Sequence, residues 1–313
     1  MINRRNIRIK VLHTIFENKI QLDDQLDYTQ ASKSLEHKFN QTEALTGLIW
    51  HMVVRLSDYV LIYANAMASK RLPTYEDLHV NVKLSDNIIV QQLKSNLRLA
   101  NVVKKNHLHT TLEDDMVRTL FYQFKESEAY QQYLLIKERS VESEKKIIEQ
   151  LIEQCIFRNE ITMSFLSENY ISLESEIDMV ESWTEKIIFG AKNFNFEKLV
   201  TKDKYDFAFD LLKCYYEMKE IVFKLIEPKL INWDADRVAI LDLIVLHLGI
   251  CEMLFFESIP LKVTINEYID LAKSYSGMQS GQFVNGLLDN VKKELLENNQ
   301  IHKIDYKETR KSS

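Results

Sequence analysis

Glycine and proline are scarce in this chain, six and three among 313 residues. Turns that need a positive or a fixed φ are correspondingly few, and long helices joined by polar loops are expected. Cysteine is limited to Cys155, Cys214 and Cys251, far apart and each in an apolar context. That usage predicts buried, reduced thiols in a cytoplasmic protein. No apolar segment typical of a secretion signal follows the N-terminus. The most apolar window, Val238 to Phe256, is interrupted by Asp242, His247 and Glu252. Such groups at bilayer depth would together cost several kcal/mol, so the window reads as a buried core helix and no membrane association is expected.

Catalytic patterns are missing as well. There is no Gly-rich strand-to-helix turn for a nucleotide or methyl donor, and no Ser-His-Asp or Cys-His constellation. His107-Leu108-His109 lacks a third ligand at sensible spacing and reads as a surface loop, with no metal and no cofactor implied.

What remains is a soluble globular composition, 46% hydrophobic and 27% charged, long enough for one large or two ordinary domains. The formal net charge is −6, yet the first ten residues carry Arg4, Arg5, Arg8 and Lys10 and no acid, while acidic runs such as Glu113-Asp114-Asp115 lie inside the chain. A basic end on an acidic protein suits focused contact with a polyanion; the plain alternative for the arginines is a solvated basic face.

Helical periodicity is expected over residues 3–18, with Ile7, Val11, Leu12 and Ile15 on one stripe, and over 42–67, 84–103, 112–124, 140–157, 172–188, 205–226 and from Asp234 to about Phe255. Asp234 is positioned to cap the last of these, with Trp233 stapled onto Val238. Residues 303–313 form a polar tail expected to fray.

Residues 259–289 are the most informative. Thr264-Ile265-Asn266-Glu267 has capping-box spacing, with Val263 placed to staple onto Tyr268, so a scaffold role competes with ligand contact for Asn266 and Glu267. Ser280 can cap the final helix, whose buried stripe is Val284, Leu287, Leu288 and Val291. Gly286 within that helix predicts close approach of a neighbour. Phe283, one position off the stripe, either packs inward or stacks on a base.

The order Ile259-Pro260, Lys262-Val263, Ile265-Asn266-Glu267, Leu271-Ala272-Lys273, Phe283-Val284-Asn285-Gly286 and Asp289 resembles the signature of the NusB family. Residues 4–16, the Phe209-Asp210-Leu211-Leu212 run and the stretch from Leu241-Asp242 to Glu252 are similar to other parts of it. The resemblance covers residues 1–18 and about 200–297. It implies an all-α fold of helical bundles in which 1–18 and 200–300 form the RNA- and partner-binding core, 19–199 a helical insertion as in the long, Bacteroidetes-type members, and 301–313 a tail.

It also implies a non-catalytic, cytoplasmic transcription antitermination factor. Such a factor binds single-stranded boxA-like RNA of ribosomal leaders together with the ribosomal protein NusE, and joins the RNA polymerase antitermination complex. RNA contacts carry over to Arg4, Arg5, Arg8, Gln279, Ser280 and Phe283, and the partner contact to Asp242. The chain departs from the family at His13, Phe16, His247 and Gln279, which bears on RNA sequence preference. The rival reading is a protein-interaction scaffold, including a homodimer, without specific RNA binding.

Overall fold

The computed structural model describes residues 2–22, 27–170, 173–190, 200–230 and 238–304. These hold sixteen α-helices and no strand. The chain divides into two compact units, one of Phe39–Leu199, the other of Ile2–Lys38 with Val200–Ser313. Helix α1 (Arg4–Leu22) starts at Asn3, whose side-chain oxygen accepts the Asn6 amide at 2.8 Å. Helix α2 (Tyr28–Ala68) contributes its first turns to one unit and the remainder to the other. It is long and apolar enough to cross a membrane, but 61% of its apolar window is buried inside the protein, as in a core helix.

In the first unit α2 is followed by α3 (Tyr75–Leu78), α4 (Ile88–Ser95), α5 (Leu97–Lys105), α6 (Leu108–Thr111), α7 (Asp114–Lys125), α8 (Glu128–Leu135), α9 (Val141–Ile152), α10 (Glu160–Asn169) and α11 (Leu173–Gly190). Their core joins Trp50, Val53 and Leu56 of α2 to Phe121, Phe124, Ile148 and Leu151. Short polar side chains punctuate the helices where glycine and proline are lacking. Thr74, Asn87, Asn96, Ser127, Ser140 and Asn159 each accept from an amide of the helix they precede, satisfying donors that the helix leaves open. Gly47 in α2 lets α5 pack closely, because a Cβ there would meet Val102 at 2.5 Å.

The second unit is built on α1, α12 (Lys202–Glu217), α13 (Lys219–Ile226), α14 (Ile240–Phe255), α15 (Leu261–Tyr275) and α16 (Met278–Glu297). Helix α14 is its axis. Every residue from Ile244 to Met253 is buried, and α1, α12, α13, α15 and α16 all pack on it. The expected cap at Asp234 and staple at Trp233 lie outside the described residues. The expected tail begins in order: the Lys303 ammonium donates to the Glu252 and Phe256 carbonyls at 2.9 and 2.7 Å, satisfying the end of α14.

Three local expectations are corrected. Helix α15 starts at Leu261, three residues before the supposed capping box, so Thr264 is an interior residue and is fully buried. Val263, the supposed staple, is 44% exposed. Helix α16 starts at Met278 after Gly277 at φ 126°, so Ser280 lies inside it and its Oγ pairs with Ser276 Oγ at 3.1 Å. The close approach expected at Gly286 occurs instead at Gly281 of α16, where a Cβ would meet the Lys273 side chain at 2.5 Å, and at Gly249 of α14. A Cβ on Gly249 would sit 3.2 Å from Leu288 and 3.4 Å from Tyr268, whereas one on Gly286 would meet nothing within 4 Å.

His247 is buried in this unit against the Tyr215 ring, 4.3 Å between centroids, and its Nε2 has no hydrogen-bond partner among the described residues. Burial, aided by Lys19 and Lys219, lowers its pKa from 6.5 to about 3. The unfolded imidazole therefore takes up a proton that the folded one refuses. This contribution to stability is intact above pH 6.5 and is lost as pH falls toward 3, at about 1.4 kcal/mol per pH unit. In urea melts between pH 6.5 and 4.5, His247→Gln is expected to flatten the pH dependence by close to that slope; parallel slopes would show that His247 titrates normally. Gly286→Ala is expected to stabilise by about 0.5–1 kcal/mol, and Gly249→Val to destabilise by about 1–3 kcal/mol; the reverse order in urea midpoints would overturn this assignment of the close approach.

Candidate nucleic-acid interface

The arginines of α1 do not share one environment. Arg8 lies three, four and seven residues before Val11, Leu12 and Ile15, so helical geometry puts it on the apolar stripe. It is 2% exposed. Its guanidinium makes two 2.8 Å hydrogen bonds to Glu252 of α14, Nε to Oε2 and Nη2 to Oε1. Glu252 is fully buried and also accepts from Thr264 Oγ1 at 2.7 Å and Tyr268 Oη at 3.3 Å. The guanidinium further lies 5.5 Å over Phe207 and 5.8 Å over Tyr268. Burial opposes its charge, but the Glu252 hydrogen bonds and the neighbouring carboxylates outweigh that, and its pKa is raised. The phenol of Tyr268 is pushed well up, by burial first and then by Glu252.

Arg8 is therefore a core residue locking α1, α14 and α15 together, a correction to its expected role at RNA. Two other expected contacts are also buried. Phe283 is 6% exposed and packs inward from α16. Asp242 is 5% exposed in the first turn of α14, and its Oδ1 accepts no hydrogen bond from a described residue. In this arrangement neither side chain presents itself to a ligand or a partner.

Arg4 and Arg5 stay at the surface. Arg4 is exposed, with its guanidinium 5.5 Å over Phe207. Arg5 keeps 38% of its side chain exposed and lies 3.7 Å from Glu267 and 3.9 Å from Asp270 of α15. These are solvated pairs, worth at most about 1 kcal/mol, that an incoming phosphate can displace. The same Glu267 carboxylate lies 3.6 Å from Arg8, so it spans the buried and the surface arginine.

Two residues outside the expected set complete this face. His13, two turns along α1 from Arg5, packs edge-on to Tyr275, 5.0 Å between centroids. Tyr275 ends α15, and its phenol is raised by burial and lowered in part by the Arg5 charge. Directly after it come Ser276, Gly277 and the start of α16, where no side chain caps the helix and Gln279 is exposed with Ser280 half-buried. The structure thus brings Arg5, His13, Tyr275, Gln279 and Ser280 to one side of the unit, and leaves Arg8, Phe283 and Asp242 beneath. Its chemistry is that of binding: surface guanidiniums, an aromatic edge, and open amide donors at a helix N-terminus. No group of three or more metal-ligating side chains occurs among the described residues.

The family model for NusB matches residues 159–293. That span includes α10 and α11, and leaves out α1. Relatives named Transcription antitermination protein NusB include one from Methylacidiphilum infernorum, 43% identical over 101 residues, covering 32% of this chain and 70% of the relative. Another, from Fervidobacterium nodosum, is 49% identical over 70 residues, covering 22% of this chain and 50% of the relative. A third, from Bacillus licheniformis, is 43% identical over 79 residues, covering 25% and 61%. The chain thus spans between half and 70% of the length of these relatives. No solved structure matches it.

Replacing Arg8 alone leaves Glu252 charged, buried and unpaired. Arg8→Met is expected to cost about 3–5 kcal/mol, and Arg8→Met with Glu252→Leu to recover most of it. Equal losses from Arg8→Met and Arg5→Met in a urea denaturation series would show that the buried pair has no special weight.

Proposed function

The chain belongs to the NusB family, and from that premise we propose that it is an RNA-binding transcription antitermination factor that catalyses no reaction. In this reading it acts in the cytoplasm on single-stranded boxA-like elements of ribosomal RNA leaders, with NusE as protein partner within the polymerase antitermination complex. The observation that carries the RNA assignment is the sorting of the arginines of α1. Arg8 is buried in the core, while Arg4 stands exposed over Phe207 and Arg5 lies at the surface close enough to Tyr275 to act on its phenol. Surface guanidiniums neutralise phosphates and release counterions, giving affinity without sequence choice. Unpaired bases add specificity through stacking and edge contacts, for which Tyr275, His13, Gln279 and Ser280 have suitable groups.

The test is titration of full-length protein with a boxA-like and a scrambled single-stranded RNA at several salt concentrations, with and without NusE. Preference for the boxA-like RNA, sharpened by NusE, is expected. Arg4→Glu with Arg5→Glu should weaken binding about tenfold or more and reduce the log–log salt slope by about 1.4, at ~0.7 for each phosphate no longer neutralised, with helicity unchanged. Undiminished affinity in that variant would remove the start of α1 from the interface. Equal, weak binding of both RNAs would instead favour a protein-interaction scaffold.

A further inference from the structure

One carboxylate stands between two cations on the face that the RNA reading uses. Asp270 of α15 keeps 54% of its side chain exposed. Its Oδ2 lies 3.9 Å from the guanidinium of Arg5 on α1, and its Oδ1 lies 3.9 Å from the ammonium of Lys273, one turn along its own helix. Both distances are longer than a hydrogen bond. Asp270 therefore holds the two charges by Coulomb attraction alone, and no N–H of either cation is committed to it.

The second cation is held at the start of α16. The stem of Lys273 lies across Gly281, where a Cβ would meet its Cγ at 2.5 Å and its Cε at 2.9 Å. That packing sets the ammonium against the first turn of α16, which also bears the exposed Gln279 and the half-buried Ser280. The charges around it balance. Arg8 is paired with the buried Glu252, which leaves Arg5 and Lys273 facing Glu267 and Asp270. The two carboxylates differ in freedom. The Glu267 oxygen that faces Arg5 is buried and also lies 3.6 Å from Arg8, so the core holds it. Asp270 has only Arg5 and Lys273 as charged partners among the described residues, and it borders water.

Building on the RNA reading above, we propose that Asp270 is a built-in competitor for an RNA phosphate. It occupies the place between Arg5 and Lys273 that a phosphate takes when RNA binds, and it swings into water to release both. Lys273 thereby joins Arg5 as a phosphate contact. Guanidinium and ammonium donors left open in this way suit phosphate oxygens. A patch whose charges balance draws in no polyanion from a distance. Phosphate contacts carry no sequence information, so the competitor raises the threshold for every RNA alike and leaves the choice among sequences to base contacts.

Asp270→Asn keeps the shape of the side chain and removes its charge. In titrations of the full chain with the boxA-like and the scrambled RNA at low salt, it should tighten both by a similar factor of about three or more. The gain should shrink as added salt screens the cluster. Glu297→Gln, at the opposite, exposed end of α16, makes the same change in net charge and should leave both affinities as they are. With Arg5→Gln and Lys273→Gln combined, nothing remains to compete for, so adding Asp270→Asn should gain nothing. Circular dichroism checks the fold of each variant. Unchanged or weaker binding by Asp270→Asn would overturn the proposal, as would an equal gain from Glu297→Gln. The same gain with and without Arg5 and Lys273 would also overturn it, since Asp270 would then act by plain repulsion. If the native chain and Asp270→Asn alike bind neither RNA, the RNA reading itself fails and the competitor falls with it.

Discussion

The buried pair of Arg8 and Glu252 organises the second unit. A carboxylate on the most buried helix of a unit cannot stay charged without partners, and Glu252 has three: Arg8 from α1, and Thr264 and Tyr268 one turn apart on α15. These contacts fix the rotation of α1 and α15 about α14. The surface then follows from the core. With Arg8 turned inward, Arg5 is carried round toward the rim beside Glu267, Arg4 stays exposed at the start of the helix over Phe207, and the end of α15 brings Tyr275 against His13.

Such a pair adds little net stability over an apolar one of equal volume. Its value here lies in register, because a helix carrying several arginines near its N-terminus could otherwise settle with another of them inward. Glu267 reinforces that choice from the edge, within 4 Å of both Arg5 and Arg8. Gly249 allows the packing that goes with it, since α16 and Tyr268 approach α14 where a side chain would intrude.

The first unit solves a different problem. With few glycines and prolines, its short helices are delimited by asparagine, serine and threonine caps, and its core is gathered around residues 39–68 of α2. Its most distinctive local features, the buried Glu144 carboxylate that accepts from Tyr133 and Arg139 and the π-helical turn Glu153–Phe157, lie between α8 and the start of α10. Both belong to the first unit alone, and under the proposed function the two units carry separable tasks.

The sequence alone determined the helical class, the apolar stripes of α1, α14 and α16, and the family. Each of these rests on periodicity or on residue order, which survive without coordinates. The role of Arg8 was also within reach, since its spacing to Val11, Leu12 and Ile15 sets it on the buried stripe and Glu252 interrupts the most apolar window without a local partner. What only the tertiary structure decided is which charged group meets which. Thr264 reads locally as a helix cap but serves as a donor to Glu252, and Gly286 reads as a packing glycine but faces open space while Gly281 and Gly249 bear the contacts. Phe283 could be placed inward or outward from its position, and Asp242 at a surface or a core. Burial settles such choices, and burial is a property of neighbours that lie far away along the chain.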